Sequence, residues 1–152
     1  MTEVGVSFDW VECGEITATG DTITWPEMPN RGGVYRLVFT LGDRTRTYVG
    51  ETTRFARRFA AYQNPGGSTG TNTRMRDRTR DLLNVPGGTA RVDVQDNVRV
   101  VVDGQEADQR VIPDPFLRHL LENAALVSVA AEGAEIVNGT GYPPGELWPV
   151  EA

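Results

Sequence analysis

The 152-residue sequence has no lysine, one cysteine, one histidine and no long apolar run. Cys13 alone can form neither an intramolecular disulfide nor a multi-cysteine zinc site. His119 has no second histidine beside it, so it reads as a helix-surface residue before it reads as a metal ligand. No stretch approaches the roughly 20 apolar residues that a bilayer span requires, so no membrane partner is expected. Residues 1–10 lack a basic segment followed by an apolar one. A secretory leader is therefore not expected, and the cytoplasm is the default compartment. Neither an internal repeat nor a low-complexity segment is visible.

What is present suits one globular domain: 39% hydrophobic and 24% charged residues in a chain long enough for a single core. The net charge of -6 argues at first against a nucleic-acid partner, because phosphate binding favours a basic surface. The charges are segregated, however. Residues 1–30 hold six acids and no base. Residues 31–80 hold eleven of the fifteen arginines against Asp43, Glu51 and Asp77, a net of +8. Residues 81–152 return to a net of -8. A basic block thus lies between acidic flanks. It is either a solvated helix face or a phosphate-binding surface.

Patterning places the elements. Val4–Cys13 alternates loosely and Thr22–Trp25 is a short extended piece, so the acidic leader (1–30) is expected to pack on the domain formed by 31–152. Val34–Phe39 and Arg46–Gly50 are rich in β-branched and aromatic residues and flank a Gly42-Asp43 turn, which predicts a hairpin. Phe55, Phe59 and Tyr62 then fall at helical spacing, and a second helix is predicted around Arg74–Leu83. Ala90–Val94 and Val98–Val102 alternate again and predict a strand with an extra, inserted hairpin. A long helix is predicted from Asp114 as N-cap and Pro115 as first residue, with Phe116, Leu117, Leu120, Leu121, Ala124 and Val127 as its buried stripe. The fold class is α/β (α+β): a small central antiparallel sheet flanked by helices.

Taken singly, Tyr35 and Tyr48 in strands read as packing residues, Glu122 as a solvated carboxylate and Asn138 as a turn former. As an ordered set they resemble a family. Gly33-Val34-Tyr35 followed on the next strand by Tyr48-Val49-Gly50 is similar to the paired tripeptides that name the GIY-YIG nuclease superfamily. The resemblance runs from about Gly32 to Pro143 and implies that fold. It matches Arg58 to the family's catalytic arginine on the helix after the second tripeptide. Tyr62 takes the place of a histidine or tyrosine one turn later. Glu122 matches the metal-binding glutamate of a later helix, and Asn138 an asparagine beyond it.

The resemblance implies a metal-dependent endonuclease cutting nucleic acid, expected to be double-stranded DNA, with Mg²⁺ or Mn²⁺ as cofactor. Glu122 would hold the metal, since a hard divalent ion takes oxygen ligands and keeps several waters. Arg58 offers an always-charged fork to the scissile phosphate. Tyr35 or Tyr48 would orient or deprotonate the water, with Tyr35 preferred by the resemblance, and a base role requires the phenol pKa to fall from about 10. Arg54, Arg57, Arg74, Arg76, Arg78 and Arg80 are the candidate backbone contacts, and Arg76 and Arg80, one helical turn apart on the same side, are expected to matter most. No separate DNA-reading module is recognisable, so target choice would rest with this domain, a homodimer or a partner protein. The alternative is a non-catalytic nucleic-acid-binding or protein-interaction domain that keeps the fold.

Overall fold

The computed structural model describes residues 1–65 and 70–138. The polar stretch read at 68–73 and the loop read at 138–144 therefore fall partly outside the described residues. In chain order the elements are β1 (Val4–Thr19), β2 (Thr22–Thr24), β3 (Gly33–Leu41), β4 (Arg44–Thr52), α1 (Phe55–Gln63), α2 (Thr71–Leu83), β5 (Gly88–Val102), β6 (Gln105–Glu106), α3 (Asp114–Ala131) and β7 (Glu135–Ile136). The strands order as β2-β1-β5-β3-β4-β7, with β6 on β5, and only β4–β7 is parallel. The mixed α/β class is as expected, but the sheet is larger, with seven strands. No described helix is long and apolar enough to cross a membrane.

Strand alternation assigns the two sheet faces. Tyr35, Leu37 and Phe39 of β3, with Ala90, Val92 and Val94 of β5, face α1 and α2 and meet Phe55, Phe59, Tyr62, Met75 and Leu82. Val34, Val49 and Val100 face the other way and meet Leu121, Ala125 and Val129 of α3. The sheet is thus covered on both sides, and Ile16 of β1 and Ile23 of β2 join the core on the α1–α2 side.

Three expectations need correction. β5 is a single strand of fifteen residues, and its long partner is β1; the supposed extra hairpin adds only the two residues of β6. The polar run Gln95-Asp96-Asn97 looked like a break, yet β1 shifts register opposite it and Asn97 takes φ 51. Its side-chain amide donates to Asp9 at 2.9 Å. The Asp103-Gly104 turn does stand, with φ 48 and 82, the left-handed pair of a tight hairpin. At α3 the N-cap is Pro113, and Asp114 lies in the first turn, where it accepts from Arg118. The buried stripe of α3 is Leu121, Ala125 and Val129 at four-residue spacing, whereas Phe116 and Val127 are each 69% exposed. With apolar residues on most sides of α3, periodicity alone cannot select the buried face. Ala125 is fully buried in one cluster with Val34 and Val49 of the sheet.

The hairpin of β3 and β4 pairs Tyr35 with Gly50. A Cβ at residue 50 would lie 2.4 Å from the Tyr35 ring and hydroxyl, so glycine is required for the ring to cross β4. Gly50→Ala should lower stability by about 1–3 kcal/mol through overpacking. Gly5→Ala, where a Cβ meets nothing within 4 Å, should change it by no more than about 0.5 kcal/mol. Urea unfolding of both variants measures this; equal effects would show that the Tyr35 contact does not set the requirement.

Candidate functional site

The hairpin brings Tyr35 and Tyr48 to the α1 side of the sheet, and α1 supplies Arg58 and Tyr62. Phe55 and Phe59 anchor α1 by edge-on contacts with the Tyr35 ring, at centroid distances of 6.3 and 5.1 Å. That docking sets Tyr62 over the sheet, where its hydroxyl shares a 2.6 Å hydrogen bond with Tyr35. Tyr48 is the third hydroxyl of this group, and its ring lies 6.4 Å from that of Tyr35. Tyr35 and Tyr62 are fully buried, and Tyr48 is the outermost of the three.

Burial raises the pKa of all three phenols. For Tyr35 the neighbouring Tyr62 and Tyr48 push the same way, and the Arg58 guanidinium pulls back only in part. For Tyr48, Arg58 is the next influence after burial, and Glu122 opposes it. Arg58 therefore lies within electrostatic range of all three hydroxyls. Among the described residues it has no carboxylate partner. Glu122 acts on Tyr48 but belongs to α3, on the far side of the sheet, so the two groups approach around β4.

Glu122 is held above the usual carboxylate range by burial first, then by the Glu51 charge, against a smaller opposing pull from His119. Glu51 was not singled out from the sequence. It directly follows Gly50 and accepts from Arg118 at 2.7 Å, and Arg118 also binds Asp114 at 2.9 Å. The available signal was that Glu51 is one of three acids in the basic block. No group of three or more His, Cys, Asp or Glu placed to hold a metal occurs among the described residues. A donor set of one carboxylate with a second nearby nevertheless suits a hard, largely hydrated divalent cation, which would relieve the mutual repulsion of Glu122 and Glu51.

Asn138 is engaged with backbone. Its side-chain oxygen accepts from the Val49 amide at 2.7 Å and its nitrogen donates to the Val49 carbonyl. It thus continues the β7 pairing along β4 and braces the strand between Tyr48 and Gly50. A separate cavity of about 350 Å³ opens near Trp10, Glu12, Arg36, Val38 and Asp93, and none of the six candidate catalytic residues lines it. No protein-family profile, curated protein or solved structure matches the chain.

Of the candidate backbone contacts, Arg54 precedes α1, Arg57 lies on it, and Arg74, Arg76, Arg78 and Arg80 lie on α2. Both helices cover the same sheet face.

The raised phenols predict alkaline instability. Below pH about 10 both states hold the phenolic protons; above it the unfolded chain releases them while Tyr35 and Tyr62 retain theirs. Stability should then fall as pH rises, by up to about 2.7 kcal/mol per pH unit for two protons. Denaturant unfolding from pH 8 to 11 tests this, with Tyr35→Phe/Tyr62→Phe expected to flatten the decline. An equally steep decline in that double variant would assign it elsewhere.

Proposed function

We propose that the chain is a metal-dependent endonuclease of the GIY-YIG type, hydrolysing phosphodiester bonds of double-stranded DNA. The supporting observation is that Tyr48, the least buried of the three clustered tyrosines, feels the opposed charges of both Arg58 and Glu122. Hydrolysis needs a positioned water and positive charge where the phosphate gains negative charge. Glu122 would hold Mg²⁺ or Mn²⁺, whose chemistry is to polarise a phosphate oxygen and bound water.

The remaining tasks fall to this chain's own groups. Arg58 directs its guanidinium to the non-bridging oxygens of the scissile phosphate and stabilises the charge that develops there. The Tyr48 hydroxyl orients the attacking water. Tyr62, hydrogen-bonded to Tyr35, holds the ring against which Tyr48 packs. Asn138 is a positioning residue that acts through Val49. Glu51 restrains Glu122 from the neighbouring strand, with Arg118 holding it in place.

A second reading is a nucleic-acid-binding domain without catalysis. The complete burial of Tyr35 and Tyr62 favours it, since both then serve the core. Incubation with plasmid DNA and Mg²⁺, with and without chelator, separates the two. Glu122→Ala and Arg58→Ala should each lower the cleavage rate by on the order of 10²–10³, with the fold retained by circular dichroism. Undiminished cleavage by a clean Glu122→Ala preparation would eliminate the metal-site assignment.

A further inference from the structure

We propose that the nucleic-acid backbone is held by the helix arginines that lack a carboxylate partner, Arg54, Arg57, Arg74 and Arg78, and not by Arg76 and Arg80. This rests on the nuclease reading and specifies its substrate-contact surface.

The division follows from the ion pairs. Arg76 Nε lies 3.1 Å from Asp77 Oδ1, and Arg80 reaches Asp77 and Asp81 at 3.6 Å each. Two arginines and two aspartates sum to no net charge, and a phosphate approaching them also meets the two carboxylates. Exposed pairs of this kind are weak and do not fix the side chains, but their field on an incoming anion is largely cancelled. Among the described residues, Arg54, Arg57, Arg74 and Arg78 have no ion-pair partner. Each keeps its full charge for a ligand.

Helix geometry separates the two sets further. At about 100° per residue, Arg74 and Arg78 stack on one flank of the core-facing Met75, Thr79 and Leu82. Arg76 and Arg80 occupy the opposite flank. Arg54, the N-cap of α1, and Arg57 on its first turn lie four and one residues before Arg58, so the unpaired set includes neighbours of the proposed cleavage residue. α1 and α2 pack together on one side of the sheet. A chain of net charge -6 with an acidic leader repels phosphate elsewhere, so a duplex has reason to settle on this surface.

Binding of the full chain to a short DNA duplex, and to the RNA duplex of the same sequence, is measured in chelator across a salt series. Arg74→Gln/Arg78→Gln should flatten the log–log salt slope for DNA by about 1.8, two contacts at about 0.9 each. Arg76→Gln/Arg80→Gln should change it by less than half as much. Arg74→Lys/Arg78→Lys retains the charges and should retain the slope; if it behaves like the glutamine variant, the loss comes from altered structure and the proposal fails. An unchanged slope in the Arg74→Gln/Arg78→Gln variant, or an equal loss in the Arg76→Gln/Arg80→Gln variant, also overturns it. Either duplex showing the expected pattern supports the surface, and the tighter one names the backbone it reads. Wild-type cleavage with Mg²⁺ is followed in parallel. Cleavage without the slope change removes the surface and leaves the nuclease, whereas neither binding nor cleavage removes both.

Discussion

The Tyr35 ring crosses β4 over Gly50, and much of the site follows from that crossing. The ring needs a neighbouring strand with no side chain at that point. Once there, its edges and faces receive Phe55 and Phe59, which fix the position of α1. Its hydroxyl, which burial would otherwise leave unpaired at a cost of about 1–3 kcal/mol, finds Tyr62 one turn further along the same helix. A single ring therefore joins the hairpin to the helix that carries Arg58. Trp25, beside Phe59 and Tyr62, closes the cluster from the leader, so even the N-terminal segment supports this corner.

The opposite face uses charge where this one uses aromatic rings. Buried Asp93 receives Arg36 at 2.7 Å and Arg91 at 3.3 Å, and the Arg36 guanidinium lies 4.4 Å from the Trp10 ring centroid. β1, β3 and β5 are thereby tied in register by one carboxylate and one cation. Arg118 makes a comparable link between α3 and β4 through Glu51. Buried pairs of this kind contribute little net stability once desolvation is counted, but removing one partner strands the other. Their consequence is positional: the Arg118 link holds the helix that bears Glu122 against the strand that bears Tyr48.

Which parts of this were legible follows from the range of each interaction. The hairpin and α1 could be read because their patterns are local: alternation, a two-residue turn, then apolar residues at helical spacing. β5 could not be read as one strand, because Gln95-Asp96-Asn97 is polar and its compensation lies in β1, some ninety residues away in sequence. The buried face of α3 was misjudged because the sheet, not the helix, selects Ala125. Tyr35, Tyr48, Tyr62 and Arg58 were nominated together by the resemblance, whose motifs lie within one hairpin and the following helix. Glu51 was missed because an acid after a strand glycine has no local meaning; its relation to Glu122 exists only when α3 packs on the sheet. Asn138 entered the site by resemblance alone, without a stated task, and its contacts are with the backbone of Val49.

The tyrosine cluster also limits which chemistry its hydroxyls can perform. A phenol with the ordinary pKa of about 10 is ionised in roughly one molecule in a thousand at pH 7. Burial makes the fraction smaller for all three tyrosines here, and Arg58 offsets only part of that shift. A tyrosinate base is therefore a poor account of Tyr35, whose hydroxyl already shares a hydrogen bond with Tyr62. A neutral phenol can still direct a water, because it accepts one hydrogen bond while donating another. That role requires a fixed orientation more than a low pKa, and Tyr48 packs against the Tyr35 ring that Tyr62 holds in place. In the proposed reaction the negative charge on phosphate must then be met by permanent cations. Arg58, which influences all three phenols and has no carboxylate partner among the described residues, is such a cation.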